Sequence, residues 1–358
     1  MESIKIQNIR LYRYTLPLTR SISLPGQAIN TRSGLVLVLE DADGHVGYGE
    51  IAPLPGLHQE TLDDCLAALR PRLHSPIKFT PQDLMTGNGP VSGLPPSVAL
   101  GWDMACLDML SDLAETPLHK LLNPNAADFV YLNALIMPND PDPITTIRMY
   151  LDQGYGVLKL KVGQASPKED ADRINAVTKE YGKLFVYRLD ANRAWSMDQA
   201  LEFFKRLKRP GHFDYIEEPL ADPALLPELT FHTSVPIALD ESLFQFWDND
   251  SIPEWVGDVI IKPAVLGPLS RTLDIISRAN RRVINVTITS CYESGLALDF
   301  YARLAAATTI PYSSAGLDTW RLLERDLVKP PFSTKLCRVD LNEPPPGIDW
   351  SMLQPVDL

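Results

Sequence analysis

The chain has 358 residues, 45% hydrophobic and 22% charged, the balance of a globular protein long enough for about two domains. A formal net charge of −12 argues against nucleic acid and anionic membranes as partners, since both repel an acidic surface. The four cysteines are far apart and form no zinc or disulfide pattern, and Met1–Arg13 lacks the apolar core of a signal peptide, so a cytoplasmic protein is expected.

The elements read in chain order change texture part-way. Residues 4–16 alternate loosely, then Gly34–Glu40 and His45–Glu50 flank the turn Asp41-Ala-Asp-Gly44, which signals a hairpin. Helical patterns follow over Glu60–Arg72 and Ser97–Ala114, and Leu122-Asn-Pro-Asn-Ala126 reads as a linker. Residues 1–125 are therefore expected to form an α+β capping domain.

From Val130 onward, short apolar runs alternate with amphipathic helices. The expected strands are Val130–Ile136, Val157–Val162, Phe185–Asp190, Asp214–Glu217, Pro236–Asp240, Val259–Lys262, Val283–Thr287 and Pro311–Ala315. Helices are expected between them, as at Asp170–Lys179, Met197–Leu207, Leu269–Arg278 and Ser294–Ala307. Alternation of this kind implies a parallel sheet with right-handed crossovers, and eight compact units suit a closed, TIM-like barrel over 126–320. No GxGxxG follows an early strand, which argues against a dinucleotide site. The proline-rich tail 321–358 is expected to pack back on the capping domain.

Five successive strands carry an ionisable group near their C-terminal ends: Lys161, Asp190, Glu217, Asp240 and Lys262. In a barrel these ends converge on the face where substrate sites form. Three carboxylates brought together repel one another unless a cation holds them. An all-oxygen donor set selects Mg²⁺, with Mn²⁺ as its substitute, so Asp190, Glu217 and Asp240 are expected as ligands. Their neighbours Glu218 and Glu241 are expected to point outward, because side chains alternate along a strand.

Lys161 and Lys262 then come from opposite sides of the metal, where each could exchange a proton with a substrate between them. A lysine near its ordinary pKa is a poor base, but a like charge about 6 Å away costs its protonated form roughly 3 kcal/mol, about two pKa units. Lys159, two residues before Lys161 on the same strand face, could supply that charge. None of the six histidines lies in the last three strands, so lysine is the expected base.

The segments Lys159-Leu-Lys161, Asp190-Ala-Asn192, Glu217-Glu-Pro219, Asp240-Glu-Ser242 and Lys262-Pro263 resemble the enolase superfamily, in particular its muconate-lactonising branch. The likeness spans nearly the whole chain, including Gly47-Tyr-Gly-Glu-Ile-Ala-Pro-Leu-Pro-Gly56, and implies a (β/α)7β barrel with an N-terminal cap. Arg188–Trp195, Thr289–Ser294 and Ala315–Thr319 are most similar to the o-succinylbenzoate synthase family.

That resemblance implies Mg²⁺-dependent syn dehydration of 2-succinyl-6-hydroxy-2,4-cyclohexadiene-1-carboxylate to 2-succinylbenzoate in menaquinone biosynthesis, through an enediolate. Lys161 would remove the proton and return it to the departing hydroxyl, and Lys262 would stabilise the anion from the other face. The same resemblance implies Thr289, Ser290, backbone Gly316 and Asn192 as substrate contacts, although Cys291 replaces a serine found in many members. Arg188 either orients the carboxylates or braces the barrel behind the site, and a loop over Leu18–Thr31, with Gly26, closes over the substrate. An N-acylamino acid racemase or dipeptide epimerase on the same scaffold is the alternative. The single aspartate in Gly316-Leu-Asp-Thr319 disfavours the dipeptide case.

Overall fold

The computed structural model describes residues 3–24, 27–73, 77–87, 90–137, 140–208, 212–246, 252–308 and 313–356. Two long strands, Ile4–Leu24 and Gln27–Asp41, form an antiparallel hairpin, and Val46–Ile51 pairs on the far side of the second. The expected loop over Leu18–Thr31 is instead the far end of this hairpin; Pro25 and Gly26 lie outside the described residues. Ile77–Phe79 and the C-terminal Gln354–Pro355 both add to the first strand.

Helix Pro96–Leu113 starts with proline at its first turn, where no backbone donor is lost, and buries most of its circumference. It lies close on strand Val46–Ile51 because glycines face it. A Cβ on Gly49 would stand 1.8 Å from the Gly101 carbonyl oxygen, and one on Gly47 1.9 Å from that of Ala105.

The second sheet is parallel, with seven strands in chain order: Ala134–Ile136, Val157–Lys161, Val186–Asp190, Phe213–Glu217, Ile237–Leu239, Val256–Ile261 and Asn285–Ile288. Serine capping boxes start two of the helices between them, Ser166 with Glu169 and Ser196 with Gln199. The run expected as one strand over Val130–Ile136 is divided. Phe129–Tyr131 pairs antiparallel with Arg338–Asp340, and only Ala134–Ile136 joins the parallel sheet.

Of the expected eighth strand, Pro311 and Tyr312 lie outside the described residues, and its last residue, Ala315, forms a bridge. Ala315 bridges to Leu132 beside the first strand and Gly316 to Thr289 beside the seventh. Gly316 N donates to Ile288 O at 2.8 Å and Ala315 N to Tyr131 O at 2.8 Å, so this short segment joins the two edges of the curled sheet. Among the described residues, no helix is long and apolar enough to cross a membrane.

The hairpin sheet and the barrel helices are tied by buried carboxylates. Glu50 accepts from Ser294 N (3.0 Å), Ser294 Oγ (2.6 Å) and Ala297 N (3.1 Å) at the start of helix Gly295–Thr308, and from Tyr14 Oη (2.5 Å). Asp103 in helix Pro96–Leu113 accepts from Leu269 N at 2.8 Å, the first residue of helix Leu269–Arg281. Both place acceptor oxygens at helix N-termini, where the first N–H groups have no partner within the helix. Glu50→Ala is expected to cost about 3 kcal/mol in denaturant unfolding, because it strands several buried donors at once.

Burial also makes some carboxyls hold their protons. It pushes Asp103 up to about 7, and it pushes Asp258 inside the barrel up to about 8, with Asp214 adding to the shift. Unfolded aspartate titrates near 3.9, so between these values the folded state binds the extra protons. Their stabilising contribution is full below the unfolded value and is lost as pH rises through 7 to 8. Thermal midpoints are therefore expected to fall from about pH 5 to about pH 8, and Asp258→Asn to flatten that slope.

Candidate active site

The parallel register places the strand-end charges side by side. Lys161 pairs across to Asp190 and Asp190 to Glu217. Asp240 follows the fifth strand and Lys262 the sixth. Because side chains two apart share a face, the residues two positions earlier form the layer beneath: Arg188, Tyr215, Ala238 and Ile260. Tyr215, Ala238 and Ile260 pack together as a buried cluster.

All three lysines reach the carboxylates. Lys159 Nζ lies 2.5 Å from Glu217 Oε2 and 2.9 Å from Asp190 Oδ2. Lys161 Nζ lies 2.6 Å from the same Asp190 oxygen and donates to Asn192 Oδ1 at 2.7 Å. Lys262 Nζ pairs with Asp240 Oδ2. Lys161 is the most accessible, with 19% of its side chain exposed against 12% for Lys159 and 15% for Lys262.

Burial alone would lower the pKa of Lys159, but Asp190 and Glu217 outweigh it and hold the ammonium protonated. Lys159 is thus not a bare like charge beside Lys161; it is neutralised between two acids. Burial would raise Asp190, yet Lys159 and Lys161 hold it well below the usual carboxylate range. At Lys262, Asp240, Glu241 and Glu217 together outweigh burial in the same way and hold it protonated.

The two neighbouring glutamates part company. Glu218 does turn away, with a left-handed φ of 43°, and accepts from Asp240 N (2.8 Å), Ser242 N (2.8 Å) and Ser242 Oγ (2.5 Å). It holds the segment that presents Asp240. Glu241 does not point outward as expected but lines the cavity, because the fifth strand ends at Leu239 and alternation stops there.

Arg188 is likewise not a wall of the cavity among the described residues. Its Nε contacts Asp214 at 2.9 Å, its Nη1 donates to Asn133 Oδ1 (3.2 Å) and Ser314 O (2.8 Å), and its guanidinium lies over the Tyr215 ring. Of the two roles expected for it, the geometry is that of a brace inside the barrel.

The cavity has a volume of about 510 Å³, in the range of small-molecule sites. Lys159, Lys161, Asp190, Asn192, Glu217 and Lys262 form its floor, and Thr289, Ser290 and Gly316 one wall. Thr289 Oγ1 donates to Gly316 O at 2.9 Å, and Ser290 Oγ lies 2.6 Å from Thr319 Oγ1. A Cβ on Gly316 would meet Thr289 Oγ1 at 2.6 Å, so glycine permits this approach. Another wall is Leu54–Leu57, which follows strand Val46–Ile51, with Ser23 and Leu24 of the hairpin. Asp318 is a cavity residue that sequence reasoning left without a role. It accepts from Tyr150 Oη (2.6 Å), Tyr155 Oη (3.0 Å) and Arg321 Nε (2.9 Å).

The carboxylates suit a hard divalent cation by donor type. Glu217 Oε1 and Glu241 Oε2 are buried without a hydrogen-bond partner, so their acceptor capacity is unused by the protein itself. Among the described residues no three acidic, histidine or cysteine groups are placed to hold one ion, and Lys159 stands between Asp190 and Glu217.

Residues 144–351 match the family described as enolase C-terminal domain-like, and residues 6–109 match the MenC N-terminal domain. The chain is 31% identical over 344 residues to the o-succinylbenzoate synthase of Pasteurella multocida, covering 94% of this chain and 96% of that one. It is 33% identical over 322 residues to the o-succinylbenzoate synthase of Yersinia pseudotuberculosis, covering 89% and 92%. In fold it is similar to the L-Ala-D/L-Glu epimerase from Bacillus subtilis, with a TM-score of 0.82, 22% identity and 97% and 99% of the two chains covered. An enolase superfamily member from Roseovarius nubinhibens complexed with magnesium gives 0.83 at 24% identity and 99% of each chain. The shared barrel, the N-terminal match and this extended identity make the chain a member of the o-succinylbenzoate synthase family, lyases of the enolase superfamily.

Proposed function

We propose that this enzyme dehydrates 2-succinyl-6-hydroxy-2,4-cyclohexadiene-1-carboxylate to 2-succinylbenzoate, as a step of menaquinone biosynthesis in the cytoplasm. The observation that carries the reading is the flanking of three strand-end carboxylates by Lys161 and Lys262, both facing one cavity from opposite sides. Residues 1–125 serve as the cap and 126–320 as the barrel; the tail from 321 serves both, since Arg338–Asp340 pairs with Phe129–Tyr131 and Gln354–Pro355 with the first strand of the cap.

Asp190, Glu217 and Asp240 would hold Mg²⁺, with Mn²⁺ as a substitute. When bound, such an ion supplies positive charge where a carboxylate substrate gains electron density. Lys161, the most accessible of the three amines, takes the proton α to the ring carboxylate and returns it to the departing hydroxyl on the same face, which makes the elimination syn. Asn192 Oδ1 steadies the Lys161 amine. Lys262, held protonated, stabilises the developing anion from the opposite face. Formation of the aromatic ring supplies the thermodynamic drive. Thr289, Ser290 and Gly316 receive the succinyl end.

The same two lysines would also serve a racemase of N-acylamino acids as bases on opposite faces. A dipeptide epimerase is less well supported, because Asp318 already accepts from two tyrosines and an arginine and has little left for a substrate ammonium.

Purified enzyme with the cyclohexadiene substrate and Mg²⁺ is expected to form the aromatic product, followed by absorbance. Lys161→Ala is expected to lower kcat by about 10⁴-fold, with Mg²⁺ affinity by calorimetry unchanged. Wild-type turnover in that variant would sink the mechanism. Glu217→Gln is expected to weaken Mg²⁺ binding itself. Deuterium exchange into N-succinylamino acids, without dehydration, would select the racemase.

A further inference from the structure

Arg32 lies on the second strand of the N-terminal hairpin and is 2% exposed. Among the described residues it is not a wall of the cavity, yet its hydrogen bonds reach two walls. Nη1 donates to Pro53 O at 2.8 Å and Nη2 donates to Ala52 O, both just before the cavity segment Leu54–Leu57. Nε donates to Cys291 O at 3.3 Å, inside the cavity segment Thr289–Tyr292 of the barrel. Its own strand runs on into the hairpin end that brings Ser23 and Leu24 to the cavity.

The two segments differ in how they are held. Leu54–His58 is a self-closed turn: Leu57 N and His58 N donate to Leu54 O, and Leu54 N donates to His58 Nδ1. Such a turn is rigid inside but needs an outside anchor to fix its place. The barrel segment is pinned from within, with Ser290 N donating to Gly316 O and Cys291 N to Glu293 Oε2. A guanidinium is suited to join them, because its planar fork presents five donors in fixed directions. A buried arginine also loses its hydration, which these carbonyls and the nearby Glu293 carboxyl offset.

We propose that Arg32 is a positioning residue that sets the distance between the cap wall at Leu54–Leu57 and the barrel wall at Thr289–Tyr292, and thereby the fit of the substrate. The kinetic part of this proposal rests on the dehydratase reading; the structural part does not. The residue touches neither the lysines nor the carboxylates, so its loss acts on enclosure of the substrate and not on the proton transfer.

The test compares wild type with Arg32→Lys and Arg32→Met. Lysine keeps the charge, but its single ammonium cannot reach both walls. Hydrogen–deuterium exchange is expected to accelerate at 52–58 and at 290–292 together in both variants, with 157–162 as in wild type. Exchange unchanged in both walls of Arg32→Lys overturns the proposal. If Arg32→Met does not fold, Arg32→Lys alone carries this measurement. With the cyclohexadiene substrate, kcat/KM is expected to fall about 100-fold, mainly through KM, with Mg²⁺ affinity unchanged. A fall carried by kcat at constant KM also overturns it. An inactive wild type overturns the dehydratase reading instead, and the exchange data still judge Arg32.

Discussion

The parallel barrel carries a constraint that governs its rim: every strand ends on the same face, so charges at those ends must compensate one another. Asp190, Glu217 and Asp240 sit on neighbouring strands at depths where water cannot screen them. The lysines are the compensation the chain itself provides. Lys159 bridges two acids, Lys161 shares one of them, and Lys262 takes the third. The result is an alternating network in which every amine is aimed by a carboxylate, and which leaves one oxygen each of Glu217 and Glu241 without a hydrogen-bond partner. Precise aim matters in such a site, because proton transfer depends steeply on distance.

A rim of charges is not yet an enclosed site. The missing wall comes from the N-terminal sheet, and buried polar groups hold it in place. Glu50 and Asp103 satisfy the first turns of two barrel helices, while Arg32 spans carbonyls on both sides of the cavity. These groups have little value in isolation, since burying them costs free energy that only their partners offset. They make the arrangement of sheet and barrel specific: a displaced sheet would leave several of them unpaired at once. The glycines at 47, 49 and 101 serve the same end sterically, by letting helix Pro96–Leu113 lie against its strand.

Much of this was legible before any coordinates. The alternation of strand and helix announces a parallel sheet, and the spacing of Lys161, Asp190, Glu217, Asp240 and Lys262 assigns one charge to each of five strands. Both signals are local, since side-chain period and strand length are written into short windows. Local rules fail where they run past their element: the fifth strand stops at Leu239, so alternation does not govern Glu241, and Leu132 and Asn133 leave the ladder and divide Val130–Ile136.

By itself, then, the sequence determined the alternation of strand and helix and the face on which the charged groups gather. Tertiary structure alone decided how they pair: that Lys159 is spent on two acids, that Arg188 braces the barrel from within, and that Asp318 is already claimed by tyrosines. It alone revealed Arg32, whose partners lie about 20 and 259 positions away in the chain. The reason is physical. A strand-end charge declares itself through its neighbours in sequence, whereas a hydrogen bond to a distant carbonyl depends on where the fold brings that carbonyl, and no pattern in the chain records it.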